Sequence, residues 1–385
     1  MRTEVDVLIV GGGPTGLFLA TLLRKQDISC IVLEKQSTPS THSRSIGIHP
    51  PSLERLGNIG VVEALIQHGI KVHSGRAFYD GVEKGSFSFS SCPPPFDFVL
   101  TVPQFVTESV LTKALVTIDP NCLYMGFGVN SVVDQGEYVD VVAEGPDHKH
   151  RFRARIVVGC DGKNSVVRAE AKIDFKGQDY PDVYTMGDFK DDSSLGSDAG
   201  IFLGKPGLVE SFPLPNQVRR WVAKVPSYID NPAPDQLVSE IAGRTGTQVE
   251  AASCTMISSF KVSRYMASSF YSNRIVLAGD AAHVVSPIGG QGMNLGWLDA
   301  HLLSNVLGSV FSDGHVDDRG LSKALSHYSR SRIRATKKAQ KRSELNMWFG
   351  RAHGSSWSRL AAISAIISRP IQPFFARLFT MRGLE

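Results

Sequence analysis

The sequence predicts an α/β protein: a discontinuous parallel-sheet domain, an inserted β-rich domain and a C-terminal helical segment. Three observations carry that prediction. A strand, a glycine-rich turn, a helix and a second strand follow one another within the first 34 residues. Two further glycine-rich turns, each after a short apolar strand, recur at 159–168 and 277–294. Between them, residues 174–270 hold many short strand-like runs broken by Gly, Pro, Asn and Asp, the texture of an antiparallel sheet.

The elements follow in order. Val5 to Val10 is β-rich, and Gly11-Gly12-Gly13-Pro14-Thr15-Gly16 comes next. Leu17 to Lys25 carries Leu17, Leu19, Ala20, Leu22 and Leu23, a helix laid on a sheet. Ser29 to Leu33 is the second strand and ends at Glu34. Two strands joined by one helix make a parallel βαβ unit with a right-handed crossover. Gln36 to Ser45 reads as a loop and Pro51 to His68 as helix. From His73 to Val102 the chain turns to Gly, Ser, Pro and aromatics, an excursion into the second domain. Thr107 to Ile118 is helical again, and Tyr138 to Val142 and Arg151 to Gly159 are strands around a Gly145-Pro146-Asp147 turn. Arg274 to Leu277 is a buried strand, Leu295 to Val310 an apolar helix, and Leu321 to Met347 a long basic helix. The first domain is thus expected at 1–72, 101–173 and 271–340, the β-rich domain at 73–100 and 174–270, and the helical segment at 341–385.

Composition bounds the function. The 385 residues suffice for two or three units at roughly 150 residues each. Hydrophobic residues are 42% and charged residues 20%, a globular balance with a large core. A net charge of +4 gives no reason to expect nucleic acid. No apolar run reaches the roughly 18 residues of a membrane span. The first apolar run is short and follows Glu4 and Asp6, unlike a signal peptide, so a cytoplasmic location without stable membrane insertion is expected. The cysteines, Cys30, Cys92, Cys122, Cys160 and Cys254, are odd in number and form no CxxC pair. They read as reduced packing residues, with no disulfide and no metal site.

The first turn, Gly11-x-Gly13-x-x-Gly16, follows a strand and opens a helix, the context of a Rossmann-like dinucleotide site. Gly11 permits the tight turn, Gly13 lets a pyrophosphate approach the backbone, and Gly16 lets helix and strand pack closely. Pro14 and Thr15 lie in the first helical turn, whose N–H groups and dipole favour phosphate. Glu34, 18 residues after Gly16, is placed to accept ribose hydroxyls, and Lys35 follows it. The second turn, Gly159-Cys160-Asp161-Gly162, and the third, from Leu277 through Asp280 and His283 to Asn294, again set backbone N–H groups at the end of a strand.

These three sites together resemble the FAD-dependent monooxygenases of the aromatic-hydroxylase type, typified by para-hydroxybenzoate hydroxylase. The resemblance covers about residues 4 to 340, and Gly279 to Asn294 is its most specific part. It implies a noncovalent FAD held at the pyrophosphate by Gly11, Gly13 and Gly16 and at the ribose by Glu34. It implies that Arg44 contacts FAD, that Gln104 lies near the ribityl chain, and that Asp161 and Gly162 serve FAD and the nicotinamide nucleotide. Asp280 would bond the ribityl chain or its phosphate. Pro287 would lie beside the flavin ring, with Gly289, Gly290, Gln291, Gly292, Met293 and Asn294 wrapping its pyrimidine side. The reaction centre would then be backbone at Pro287, Gly289, Gly292 and Met293, with no side-chain nucleophile. The implied activity is hydroxylation of a phenolic or other electron-rich aromatic, polyketide-like compounds included, through a flavin C4a-hydroperoxide. O2 and transiently bound NADPH or NADH would be consumed, and a homodimer is compatible with the pattern. Rival readings are an epoxidase, a Baeyer–Villiger-type enzyme, a reductase or a non-catalytic flavin-binding protein. A halogenase is disfavoured, because no Trp-x-Trp-x-Ile-Pro run occurs. About 45 residues follow Gln340, too few for the thioredoxin-like domain of larger phenol hydroxylases.

Other residues read as structure. His283, Tyr265 and Tyr271 are expected to pack. Arg219, Arg220 and Trp221 read as a solvated strand edge in preference to a cation–π site. The apolar C-terminal residues, from Trp357 to Phe379, read as packing against the first domain or a second subunit in preference to a membrane surface.

Overall fold

The computed structural model describes residues 3–39, 43, 45–90, 92–312, 317–350 and 372–384. An eight-stranded sheet has a parallel centre in the order Tyr271–Ser272, Ile275–Leu277, Lys149–Gly159, Thr3–Val10, Cys30–Glu34, Leu123–Met125. Val139–Glu144 and Gly128–Asp134 extend it as antiparallel strands on Lys149–Gly159. Val7, Leu8, Ile9 and Ile156 to Val158 are sealed from solvent. Helices cover both faces of a parallel sheet, so these strands read as unbroken apolar runs.

A second eight-stranded sheet is mostly antiparallel, running His283–Val284, Met256–Ala267, Phe175–Lys190, Val218–Val225, Val209–Leu214, Ala199–Leu203, Ser74–Tyr79, Val82–Ser88. The last hairpin enters beside Ala199–Leu203 in parallel. One face of this sheet buries Val209, Trp221, Ala223 and Phe189 under Leu237 and Ile241 of the helix Pro234–Thr245. The other face groups Tyr184, Met186, Leu208 and Val222 with Ile288 and Met347. A three-stranded sheet of Gly47–Ile48, Val99–Thr101 and Ile70–Val72 lies between the two.

Several boundaries move, each for a local reason. The expected helix at 51–68 is two helices, Pro50–Gly57 and Val62–Gln67, separated by a turn through Gly60 at φ +76°. The helix expected from Thr107 starts at Gln104, where Pro103 sets the N-cap. The basic helix runs from Asp318 to Gly350 and passes through residue 340 without a break. After it, Met381 and Leu384 pack with Leu295, Leu298 and Ala339, and Phe379 meets Phe87 edge-on at 5.5 Å. Residues 351–371, including Trp357, Leu360, Ile363, Ile366 and Ile367, lie outside the described residues.

One expectation is overturned. Arg219, Arg220 and Trp221 are buried in a central strand, with no solvated edge. Each arginine has its own carboxylate: Arg219 Nε lies 2.8 Å from Asp191 Oδ2, and Arg220 grips Asp188 through Nε and Nη2 at 2.6 and 2.7 Å. A one-residue alternation of faces sends the two guanidinium groups to opposite sides of the sheet. Cys30, in the strand Cys30–Glu34, and Cys122, just before the neighbouring strand Leu123–Met125, have sulfurs 3.9 Å apart. That is a thiol contact well beyond a disulfide length of about 2.05 Å.

Candidate functional site

The parallel centre of the first sheet brings the three turns to one edge. Gly11 follows the strand Thr3–Val10 at φ +105°, and a Cβ there would collide with the carbonyl of Cys160 in the second turn. A Cβ on Gly16 would collide with the Gly11 carbonyl. Around Gly13 the situation reverses, since a Cβ would meet nothing within 4 Å. The turn is therefore tight on its inner side and open at Gly13. Pro14 occupies the first position of the helix Pro14–Arg24. The opening N–H groups of that helix, Thr15 and Gly16 among them, have no intrahelical acceptor.

The third turn locks onto the first. The Gly279 N–H donates to Asp299 Oδ2 at 3.0 Å, and a Cβ on Gly279 (φ +62°) would lie 2.9 Å from Thr15 Oγ1. Trp297 Nε1 donates to the Pro14 carbonyl at 3.0 Å. Arg168, in the second turn, donates to the carbonyls of Ala281 and Lys163 at 2.8 Å each. Its guanidinium also stacks 3.7 Å over the Phe175 ring.

Glu34 closes the strand Cys30–Glu34, where its Oε2 accepts from the Gly12 N–H at 2.7 Å and its Oε1 from the Gln36 N–H at 2.8 Å. Lys35 is exposed beside it and pairs with none of the described residues. Gln104 accepts from the Ser45 N–H at 3.2 Å and donates to Glu108 Oε1 at 2.9 Å, while its own N–H donates to Ser43 Oγ at 2.8 Å. It thus pins both neighbours of Arg44, which is itself outside the described residues. Burial pushes the Glu108 carboxyl above its usual range, and the nearby Glu34 adds to this. Gly162 takes φ +83° beside Asp161. Asp161 Oδ2 accepts from the Val166 and Val167 N–H groups at 2.7 and 3.2 Å, whereas Oδ1 is buried without a partner.

Asp280 is exposed to solvent although neighbouring protein packs around its carboxyl group. The crowding pushes its carboxyl up, partly offset by His283. Gly292 lies against it, with a Cβ position 4.0 Å from Asp280 Oδ1. Gly289 and Gly290 both adopt left-handed backbone, φ +86° and +64°, and turn the chain into the helix Gln291–Phe311. Pro287 is exposed at the lip of the turn and Met293 is half-buried. Gln291 is buried against Ser343, whose hydroxyl reaches its Oε1 at 3.4 Å. Asn294 spends its side chain on protein: Oδ1 accepts from the His49 N–H at 2.9 Å, and Nδ2 donates to Gly47 and Gly290 at 2.9 and 2.8 Å.

Three partners of these turns escaped the sequence reading. His49 Nε2 sits 3.1 Å from the Gly289 carbonyl, and burial lowers its pKa to about 4, so the ring is neutral. Asp299 and Arg332 form a sealed centre with His283: His283 Nε2 lies 2.5 Å from Asp299 Oδ2 and Arg332 Nε 2.6 Å from Asp299 Oδ1. A lone acid in the apolar run Leu295 to Val310 was the available signal for Asp299. His283 takes the packing place expected for it.

The geometry fits a dinucleotide cofactor. The turn is open where a pyrophosphate would approach, a buried carboxylate oxygen on Asp161 lacks a partner among the described residues, and the start of the helix Pro14–Arg24 packs on the helix Gln291–Phe311 at Gly296 and Trp297. Residues 4–343 match the family model described as FAD binding domain, so the chain belongs to that family and FAD is its cofactor. Rifampicin monooxygenase of Streptomyces venezuelae is 31% identical over 306 residues, 77% of this chain and 62% of that protein. The 12-dehydrotetracycline 5-monooxygenase/anhydrotetracycline 6-monooxygenase of Streptomyces rimosus is 30% identical over 325 residues, 80% of this chain and 63% of that protein. The chain spans about two thirds or less of the length of such curated relatives. The crystal structure of p-nitrophenol 4-monooxygenase from Pseudomonas putida superposes with TM-score 0.90 at 22% identity, covering 100% of this chain and 99% of that one, which establishes the fold. Among the described residues no helix is long and apolar enough to cross a membrane, and no cluster of three or more His, Cys, Asp or Glu is placed to hold a metal.

Proposed function

We propose that this protein is an NAD(P)H-consuming, FAD-dependent monooxygenase that hydroxylates a phenolic or other electron-rich aromatic compound. The observation that carries this reading is the position of the 287–294 turn. Gly292 lies against Asp280 on its cofactor side, while Ile288 packs with Tyr184, Met186, Leu208 and Val222 of the second sheet. A cofactor ring at this turn has an apolar sheet face for its substrate.

The chain's own residues bind, orient and exclude water. Gly11, Gly13 and Gly16 with the start of the helix Pro14–Arg24 receive the pyrophosphate, Glu34 the ribose, and Asp161, Gly162, Gln104 and Asp280 the rest of the chain between ribose and ring. The N–H groups of Gly292 and Met293, in the first turn of the helix Gln291–Phe311, would stabilise negative charge on a flavin ring held at this turn. FAD held there would supply the redox chemistry, hydride acceptance from NAD(P)H and activation of O2, for a reaction that puts one oxygen atom into the aromatic ring and the other into water. The apolar sheet face keeps bulk water from the reacting atoms. The first sheet with its helices, 1–72, 101–173 and 271–340, serves the cofactor, and 73–100 with 174–270 serves the substrate.

Purified protein is expected to be yellow, with flavin released by hot acid. NADPH and NADH oxidation screened against a panel of phenols, naphthols and anthraquinones should rise with at least one of them and yield a product heavier by one oxygen atom. No substrate-dependent oxidation across the panel would sink the reading. Glu34→Ala should weaken FAD by about 1–3 kcal/mol, because ribose hydrogen bonds and the anchors of Gly12 and Gln36 go together. Glu34→Gln should lose less. Titration of apoprotein by quenching of flavin fluorescence measures both, and wild-type affinity in Glu34→Ala would remove Glu34 from the site.

A further inference from the structure

The second sheet carries a charged group that nothing in the fold satisfies. Glu210, in the strand Val209–Leu214, is 7% exposed, yet no hydrogen bond or ion pair reaches its carboxyl group among the described residues. Its cross-strand neighbours are Val222 on one side and Ile201 on the other, and Val222 in turn faces Met186. Side chains alternate across a sheet, so Glu210 shares the face of Val222, Met186 and Leu208. That face meets Ile288 of the 287–294 turn, while the opposite face is filled by the helix Pro234–Thr245.

The nearby cations are already engaged. Arg220 is held by both oxygens of Asp188, and Lys224 lies 2.8 Å from Asp182. Burial alone pushes the Glu210 carboxyl up to about 7. A buried carboxyl without a partner weakens a fold, so its place on a face where Arg220, Asp188 and Lys224 are all paired calls for a ligand that completes it.

We propose that Glu210 is the specificity-determining residue of the substrate face: it accepts a hydrogen bond from a neutral hydroxyl group on the aromatic substrate and turns away aromatic carboxylates. The inference rests on the proposed hydroxylase reading and narrows its substrate to neutral phenols. A carboxylate ligand would bring a second negative charge beside Glu210, and among the described residues Arg220 and Lys224 are already engaged. A methyl ether would leave the carboxylate unsatisfied, and a site built to bond a hydroxyl rejects the analogue that lacks one.

The test uses FAD-loaded protein at about pH 8, above the Glu210 pKa, with 1-naphthol, 1-methoxynaphthalene and 1-hydroxy-2-naphthoate as probes. Dissociation constants are read from perturbation of the flavin spectrum. Wild-type protein should bind 1-naphthol about tenfold or more tightly than either other probe. Glu210→Leu should erase the preference over the methyl ether, and Glu210→Gln should admit the carboxylate while keeping part of that preference. Glu210→Leu should also raise the thermal midpoint of the substrate-free protein, the opposite of what a stabilising structural residue would do. Unchanged probe selectivity in FAD-loaded Glu210→Gln, or a lowered midpoint in Glu210→Leu with selectivity intact, overturns the proposal. Failure of every aromatic probe and of the whole oxidation panel with wild-type protein overturns the hydroxylase reading itself, and this inference with it.

Discussion

Asp299→Ala is expected to cost about 3–5 kcal/mol of unfolding free energy, because it strands two buried partners at once. Asp299 is sealed from solvent, with Oδ2 shared by His283 Nε2 and the Gly279 N–H and Oδ1 taken by Arg332 Nε. Without the carboxylate, Arg332 keeps a buried positive charge whose remaining acceptor among the described residues is the Leu384 carbonyl at 3.1 Å. The Gly279 turn also loses its anchor one residue before Asp280, so flavin retention should fall with stability. Asp299→Asn should lie between the two, since an amide oxygen still accepts one hydrogen bond. Burial works against the ionised form of Asp299, but His283 and Arg332 outweigh it and hold the carboxyl below its usual range. The sign follows by linkage. The contribution is complete above the unfolded carboxylate pKa and is lost as pH falls through the lower folded value, so the gap between wild type and Asp299→Asn should close only in strong acid. Denaturant unfolding across pH measures this, and wild-type stability in Asp299→Ala would mean that the centre is no ion pair.

The second large effect belongs to Gly289→Val. Gly289 sits at φ +86°, where a β-branched residue is strained, and its Cβ position is 2.9 Å from Asn346 Nδ2. The strain is of order 1–3 kcal/mol at this residue. Its carbonyl also receives the neutral His49 ring, so a shift of the turn disturbs the contact that joins it to the helix Pro50–Gly57. The variant is expected to oxidise NAD(P)H poorly, or to oxidise it while releasing hydrogen peroxide in place of hydroxylated product. Measuring NAD(P)H consumed, peroxide released and product formed in one reaction decides the matter. Wild-type rate with wild-type yield would show that the turn is remote from the reacting ring.

The cofactor half was legible because backbone conformation demands particular residues there. A Cβ at Gly11 or Gly16 collides with main chain, so glycine at those places records the turn directly in the sequence. Glu34 was legible from its distance to that turn. His49, Asp299 and Arg332 were not, because each depends on a neighbour far along the chain, and Glu210 was not, because only the strand pairing shows which face it lies on. Arg332 lies in a helix whose abundant Lys and Arg read as solvated, and only the packing with Asp299 and Leu384 sets it apart. Arg219 and Arg220 were misread for the same reason: two adjacent cations look like an edge until Asp191 and Asp188 are seen across the strand. Their carboxylates come from 28 and 32 residues away in sequence, with no local period to announce them.

The hydrogen-bond partners of the strand Thr3–Val10 bear on how the protein is born. One partner, Cys30–Glu34, leaves the ribosome soon after it, but the other, Lys149–Gly159, arrives only after residue 159 has been made. Ser74–Tyr79 waits similarly for Ala199–Leu203, and Lys149–Gly159 for Ile275–Leu277. Until then, apolar strand edges stand open, a standing invitation to pair with other nascent chains. Closing such long loops before their contacts form is slow. The turn at 287–294 follows the last strand of either sheet, so the site proposed for the cofactor is complete only after both sheets have been synthesised. A stall in translation before residue 277 would therefore leave an unfinished sheet exposed to aggregation and proteolysis.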